Sequence, residues 1–106
     1  MKNEKLIKFF EENDFIVHLD EQDGVQCAEL ETWTEGGVNM IIWLNPFTEE
    51  EFEKYANYFD MDEEINLNRQ DKAYRNDFTI RESVEDFLGF HNRLKDILSK
   101  LLVHQK

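Results

Sequence analysis

The chain has 106 residues, 41% of them hydrophobic, and a formal net charge of −12 at neutral pH. Nine Phe, three Tyr and two Trp are enough to form a core, so overall disorder is excluded and one domain over residues 1–106 is expected. The acidity disfavours direct binding to nucleic acid or to an anionic membrane surface, and it favours a basic protein partner.

The acidic residues are concentrated in one part of the chain. Residues 11–64 hold 17 Asp or Glu and one base, Lys54, whereas residues 1–10 and 65–106 each carry a net charge of +2. A distribution this uneven bears on partners and solubility rather than on fold.

Cysteine content and hydropathy indicate a cytoplasmic protein. Cys27 is the only cysteine, so it cannot form an intramolecular disulfide, and a reducing compartment is expected. The charged residues among 2–10 are too frequent for a signal peptide, and no apolar run approaches the ~18 residues of a membrane span.

The first predicted helix covers about residues 4–12. Asn3 is its expected N-cap, and Asn13 is expected to end it in the left-handed conformation. A strand follows, in which Phe15, Val17 and Leu19 alternate with Ile16, His18 and Asp20. It ends at the turn Asp23-Gly24.

Two more strands are predicted at about 25–34 and 38–45, and Pro46 ends the second of them. A three-residue loop at 35–37 pairs Leu30 with Ile42 and sorts the side chains into two sets, whereas a two-residue loop mixes them. The first set is apolar: Ala28, Leu30, Val38, Met40, Ile42 and Leu44. The second is acidic and aromatic: Cys27, Glu29, Glu31, Trp33, Ile41 and Trp43.

Two capping boxes predict helix starts. Thr48 with Glu51 opens a helix with a buried stripe of Phe52, Tyr55, Ala56 and Phe59. Thr79 with Glu82 opens a long final helix to about residue 102. Its apolar stripe is Val84, Phe87, His91, Leu94, Leu98 and Leu101, widened by Leu88, Ile97 and Leu102.

Residues 60–78 read as an irregular segment, with a short helix possible around Tyr74. The element order is then helix, three-stranded antiparallel meander, helix, irregular segment and long C-terminal helix. This order is typical of an α+β fold in which the helices pack on the sheet.

Catalytic and metal sites are not predicted, and neither is a cofactor. The acids stand in solvated runs that lack the contrasting environments of a catalytic pair. Asp60, Asp62 and Glu64 match the start of a calcium loop, but Ile65 stands where that motif needs glycine. His18, His91 and His104 lack zinc-ligand spacing, and acidic neighbours of Cys27 should raise its thiol pKa.

The candidate partner-binding residues are the acids of the sheet and of the second helix with two tryptophans: Glu29, Glu31, Trp33, Trp43, Glu49, Glu50, Glu53, Asp60, Asp62, Glu63 and Glu64. Burial of both tryptophans under a helix is the alternative. If residues 49–64 were one helix of ~24 Å, their net charge of −7 would be half that of DNA over the same length, which carries about 14 charges.

The element order, small size and acidity resemble those of type II-A anti-CRISPR proteins, which are inhibitors carried by phages and mobile elements. Members of that class occupy the basic nucleic-acid channel of an RNA-guided nuclease, so the resemblance implies a nucleic-acid-mimicking inhibitor. The resemblance lies in the order of the secondary-structure elements, so it assigns no role to any individual residue. Residues 35–40 (EGGVNM), 45–52 (NPFTEEEF) and 81–87 (RESVEDF) are also similar to small proteins of Firmicutes mobile elements.

The leading hypothesis is therefore a non-enzymatic binding protein whose acidic face engages a basic protein surface. One alternative is an assembly module that forms a homodimer through the apolar seam of the last helix, so monomer and homodimer both stay open. The other alternative is a small enzyme of unrecognised type.

Overall fold

The computed structural model describes residues 3–70 and 78–104, with backbone alone at 67–70 and 104. The elements are α1 Glu4–Glu12, β1 Ile16–Gln22, β2 Val25–Trp33, β3 Asn39–Leu44, α2 Glu49–Asn57, α3 Met61–Gln70 and α4 Ile80–His104. The strands form one antiparallel sheet in the order β1-β2-β3. The predicted α+β fold with a meander and a long C-terminal helix is confirmed.

Both hairpin turns lie where the sequence predicts them. Asp23 and Gly24 connect β1 to β2 with φ angles of 53° and 79°, the left-handed pair that a two-residue turn needs. The second hairpin has the three-residue loop, because the Thr34 N–H donates to the Val38 carbonyl at 2.9 Å. Leu30 therefore opposes Ile42, and the predicted division of side chains between two sheet faces is confirmed.

The predicted ends of α1 are wrong in detail. Asn3 has a φ of 66° and its side chain makes no capping bond, because its amide donates to the Gln26 side chain at 2.8 Å and the Phe47 carbonyl at 3.4 Å. At the other end Asn13 has a φ of −105°, and the following residue, Asp14, takes the left-handed conformation with a φ of 69°. Asn3 thus ties the helix to two later segments instead of capping it.

The helices cover one side of the sheet and enclose the core. The buried residues of the sheet are the predicted apolar set, Ala28, Leu30, Val38, Met40, Ile42 and Leu44. Phe10 is fully buried, with the ring centroid of Phe52 at 5.0 Å, that of Phe15 at 5.7 Å and that of Phe47 at 6.1 Å. α1 therefore contributes the centre of an aromatic cluster that holds α2 against the sheet.

The segment predicted to be irregular contains α3. Asp60 begins this helix, because its carboxylate accepts the Glu63 N–H at 3.1 Å and its carbonyl accepts the Glu64 N–H at 3.0 Å. Ile65 anchors α3 in the core. The short helix expected around Tyr74 lies outside the described residues.

α4 begins at the predicted capping box, with both of its bonds formed. The Glu82 N–H donates to the Thr79 hydroxyl at 3.1 Å, and the Thr79 N–H donates to the Glu82 carboxylate at 3.0 Å. The buried stripe is Phe87, Phe90, Leu94, Ile97 and Leu101, so it includes Phe90, whereas Leu88 and Leu102 are exposed. This seam packs inside the same chain, and a homodimer through α4 stays a prediction.

Asp86 joins the second hairpin to α4. Its carboxylate accepts the Thr34 hydroxyl at 2.6 Å and the Gly36 N–H at 2.8 Å. A Cβ on Gly36 would lie 2.7 Å from the Phe78 ring and 2.8 Å from the Asp86 carboxylate, so the approach needs glycine. The contact fixes the hairpin loop beside the second turn of α4.

Candidate protein-binding face

Among the described residues, no helix covers the outward side of the sheet. We call this side the open face; it holds Ile16, His18, Asp20, Val25, Cys27, Glu29, Glu31, Trp33, Asn39, Ile41 and Trp43. The register places Glu29 between His18 and Trp43, and it places Glu31 between Ile16 and Ile41. Carboxylates on the middle strand thus lie among large apolar side chains.

The open face exposes an unusual amount of apolar surface. Ile16, Val25, Trp33, Ile41 and Trp43 are each between 43% and 46% exposed. The two interpretations of the tryptophans are thereby resolved, because neither lies under a helix. Grouped apolar side chains on a surface mark interaction sites, and tryptophan is enriched among the residues that dominate binding energy.

Glu31 is held in a defined position within this face. His18 Nε2 lies 3.0 Å from one carboxylate oxygen, and the Asn39 amide donates to the other at 3.0 Å. The hydrogen bond with His18 and then that with Asn39 lower the pKa of Glu31 and outweigh its partial burial. The carboxylate is therefore ionised and oriented before any partner arrives.

Cys27 belongs to the open face by register, but its neighbours bury it completely. Burial raises the pKa of the Cys27 thiol first, and the charges of Asp20 and Glu21 raise it further. The predicted upward direction is confirmed, and such a thiol is a poor nucleophile.

The other predicted partner-binding residues lie away from the open face. Glu49, Glu50 and Glu53 are on α2; Asp60 precedes α3, and Asp62, Glu63 and Glu64 form its first turn. Both helices insert core residues on the covered side of the sheet, Phe52 from α2 and Ile65 from α3. The structure thus divides the predicted set between two sides of the molecule.

The helical acids are not all free in solvent. Burial raises the pKa of Glu64, and the nearby charges of Glu63 and Asp60 raise it further. Burial also raises the pKa of Tyr55, with a smaller contribution from Glu64. The side chain of Glu64 is therefore half-buried and lies near Tyr55.

The acidic row of residues 49–64 is interrupted. α2 ends at Asn57 and α3 begins at Met61, so four of the eight acids lie on α2, three lie on α3, and Asp60 lies in the break at 58–60. The comparison with DNA assumed one continuous helix, and that assumption is wrong. The length of ~24 Å used in that comparison therefore does not apply to this segment.

A cavity of about 450 Å³ adjoins the open face at Trp33. Its walls are Asp14, Thr32, Trp33, Thr34, Glu35, Gly89, Phe90 and Arg93. The volume lies in the range of small-molecule and side-chain binding pockets. Sequence reasoning missed it, because its walls come from three distant parts of the chain.

Arg93 forms one wall of the cavity and links the other walls through hydrogen bonds. Its guanidinium donates to the Asn13 carbonyl at 3.1 Å, the Trp33 carbonyl at 3.2 Å and the Thr32 hydroxyl at 2.9 Å. The same group lies 5.2 Å from the ring centroid of Phe15, a cation–π distance. In the described part of the chain, Arg93 pairs with no carboxylate.

Other candidate sites have local explanations. Asp60 and Asp62 belong to a helix start rather than to a calcium loop, and the described residues contain no group of three or more His, Cys, Asp or Glu that could hold a metal. His91 is half-buried, with its ring 5.1 Å from that of Phe59. Over the same residues, no helix has both the length and the hydropathy to cross a membrane.

Comparisons with known proteins found no match to this chain among protein-family models, curated proteins or solved structures.

Proposed function

We propose that this chain is a non-enzymatic binding protein whose open face docks on a basic surface of a partner protein. One observation carries the proposal: carboxylates of Glu29 and Glu31 lie among four half-exposed apolar side chains, those of Ile16, Trp33, Ile41 and Trp43, on the uncovered side of the sheet. A solvated charged surface made for solubility alone would lack the apolar groups.

The residue chemistry favours a partner segment rich in arginine. An arginine side chain packs its stem and guanidinium plane on tryptophan and pairs with a carboxylate through two parallel hydrogen bonds. Trp43 lies next to Glu29 across the strand pair, so one arginine can use both. Glu31 is already held by His18 and Asn39, which reduces the entropy lost when it pairs.

The class of partner follows from the resemblance to anti-CRISPR inhibitors. A nuclease or another DNA-handling protein offers the basic surface that this face requires. The contact would use the mixed apolar and acidic sheet face rather than a continuous row of charges, since the acids at 49–64 are interrupted. The proposed protein is therefore an inhibitor or binder of a basic protein. It would resemble DNA only in presenting negative charge to its partner.

The test is affinity capture with the immobilised chain, at low salt and at about 0.15 M salt, where the Debye length is about 8 Å. We expect a basic partner whose capture weakens with salt and is lost in Trp43→Ala. Tyr58→Ala is the matched control, because Tyr58 is an aromatic residue 83% exposed after α2, away from the open face.

Two results would overturn the proposal. One is the absence of any basic partner at either salt concentration. The other is equal loss of capture in Trp43→Ala and Tyr58→Ala, because the open face would then have no special part in binding. Sedimentation of the free chain is run in parallel, since a dimer that persists in Trp43→Ala would favour the homodimer alternative.

A further inference from the structure

The cavity borders the open face at Trp33. Trp33 belongs to the open face by register and also lines the cavity, whereas the buried Thr32, Thr34 and Phe90 belong to the covered side. A partner docked on the open face at Trp33 would therefore lie beside the cavity. Hydrogen bonds join the walls behind Trp33, because Arg93 donates to two carbonyls and to the Thr32 hydroxyl, and Thr32 in turn donates to the Asp14 carbonyl at 3.0 Å.

Gly89 in the cavity wall has no packing reason to be glycine. It lies in the interior of the 25-residue α4, where glycine is less stable than alanine, and a Cβ there would meet nothing within 4 Å among the described residues. Gly36 differs, since Phe78 and Asp86 leave no room for its Cβ. A glycine without an intramolecular reason is consistent with a surface kept open for a ligand.

The charges of the cavity favour a cation. Asp14 and Glu35 line it, and within the described residues no hydrogen bond or ion pair engages either carboxylate. Arg93 opposes them with one positive charge, but three of its N–H groups are committed to Asn13, Thr32 and Trp33. The indole of Trp33 adds a face on which a guanidinium stacks.

We infer that this cavity receives an arginine side chain of the basic partner, with the guanidinium against Trp33 and the carboxylates of Asp14 and Glu35. The inference rests on the proposed function and makes the cavity the anchoring point of the docked surface. Gly89 acts by leaving the space unfilled.

The test uses the ¹⁵N-labelled full chain and N-acetyl-arginine N-methylamide as the probe. We expect saturable shifts of the Gly89 amide and the Trp33 indole signal, with smaller shifts at the Trp43 indole. The citrulline analogue has the same shape without the charge, and it should bind about fivefold more weakly, the ratio that one exposed ion pair supports. The glutamate analogue should leave both signals unchanged.

Three variants test the free volume of the cavity and its negative charge separately. Gly89→Leu fills the cavity and should abolish the shifts, while Gly89→Ala should raise the melting temperature by a few degrees and shows that the position tolerates a side chain. The double variant Asp14→Asn, Glu35→Gln should weaken the arginine probe to the level of citrulline. Asn is chosen at position 14 because it also accepts a positive φ.

A hexa-arginine peptide distinguishes failure of this inference from failure of the proposed function. Shifts at Ile41 and Trp43 without a shift at Gly89 would overturn the cavity inference and leave the open-face proposal standing. A shift at Gly89 without shifts at Ile41 and Trp43 would overturn the open-face proposal, and with it the assignment of the arginine to a docked partner. Binding of the glutamate analogue would show that Arg93 makes the cavity an anion site. That result, or the absence of saturable shifts with the arginine probe, overturns the inference.

Discussion

Replacing Asp86 by alanine should destabilise the fold far more than replacing another aspartate of the same helix. Asp86 accepts hydrogen bonds from the Thr34 hydroxyl and the Gly36 N–H, and a hydrogen bond to a charged group contributes about 1.5–3 kcal/mol. Thr34 is buried, but Gly36 is half-buried and water can replace part of its bond. We therefore expect a loss of about 3 kcal/mol in the free energy of unfolding.

Asp96→Ala is the matched control. Asp96 lies on α4 and pairs with Lys100 at 3.3 Å, but its side chain is 68% exposed, and such pairs contribute at most about 1 kcal/mol. Both substitutions change helix propensity equally. The difference between their free energies of unfolding therefore measures the hydrogen bonds of Asp86 to Thr34 and Gly36. In thermal unfolding followed by circular dichroism, Asp86→Ala should melt at least about 12 °C below the wild type. A difference between the two variants below about 1 kcal/mol would refute the reasoning.

Three further predictions concern the core, the open face and the cysteine. Phe10→Ala removes the fully buried centre of the aromatic cluster, and urea unfolding should show a loss of about 3–5 kcal/mol. The bonds from His18 and Asn39 lower the pKa of Glu31, so its stabilising contribution is complete above the unfolded pKa of about 4.3 and is lost as the pH falls through the lowered folded pKa. The stability difference between the wild type and Glu31→Gln should therefore shrink on acidification, and a constant difference would contradict this. Cys27 should react with a thiol reagent only at the rate of unfolding, because it is buried and its thiol pKa is raised; fast labelling of the native chain would refute this.

Features that depend on neighbouring residues could be predicted from the sequence. Asp23-Gly24 needs two left-handed residues, and a loop at 35–37 is the choice that separates polar from apolar positions, so both hairpins followed from local chemistry. Thr79 and Glu82 satisfy each other within one turn, which makes the start of α4 a local property as well.

α3 was missed because its apolar periodicity is weak. Ile65 is its one buried residue among those with described side chains, and the acidic residues before it dominate the pattern. A usable signal was present: Asp60 followed by Glu63 is a capping pattern, and the structure forms that bond. The acids were interpreted as a charge run when they also begin a helix.

The exposure of the open face could not be derived from alternation alone. Both sets of alternating side chains in β2 and β3 contain large apolar residues, and which set is covered depends on where α2 and α4 pack. The cavity depends on contacts of still longer range, since Arg93 joins α4 to residues 13, 32 and 33. Such contacts leave no periodic signature in the sequence.

The division of the acids between two sides changes the meaning of the charge asymmetry. On α2 and α3 all of these acids except Glu53 lie at helix starts, where the helix dipole stabilises them and where Asp60 supplies a cap. These positions have a structural reason for acidity. Glu29 and Glu31 lie in strand interiors, where acidic residues are depleted and no dipole favours them.

Apolar contact and charge would then contribute to binding in different ways. Full burial of a large apolar side chain contributes about 1.5–3 kcal/mol, so covering the remaining half of Ile16, Val25, Trp33, Ile41 and Trp43 supplies on the order of 5 kcal/mol before the costs of association. Surface carboxylates contribute little to net affinity but accelerate encounter with a basic surface and select against acidic ones. In the proposed complex, the apolar residues of the open face would therefore set how long the complex lasts, and its acids, with those of α2 and α3, would set which proteins it meets.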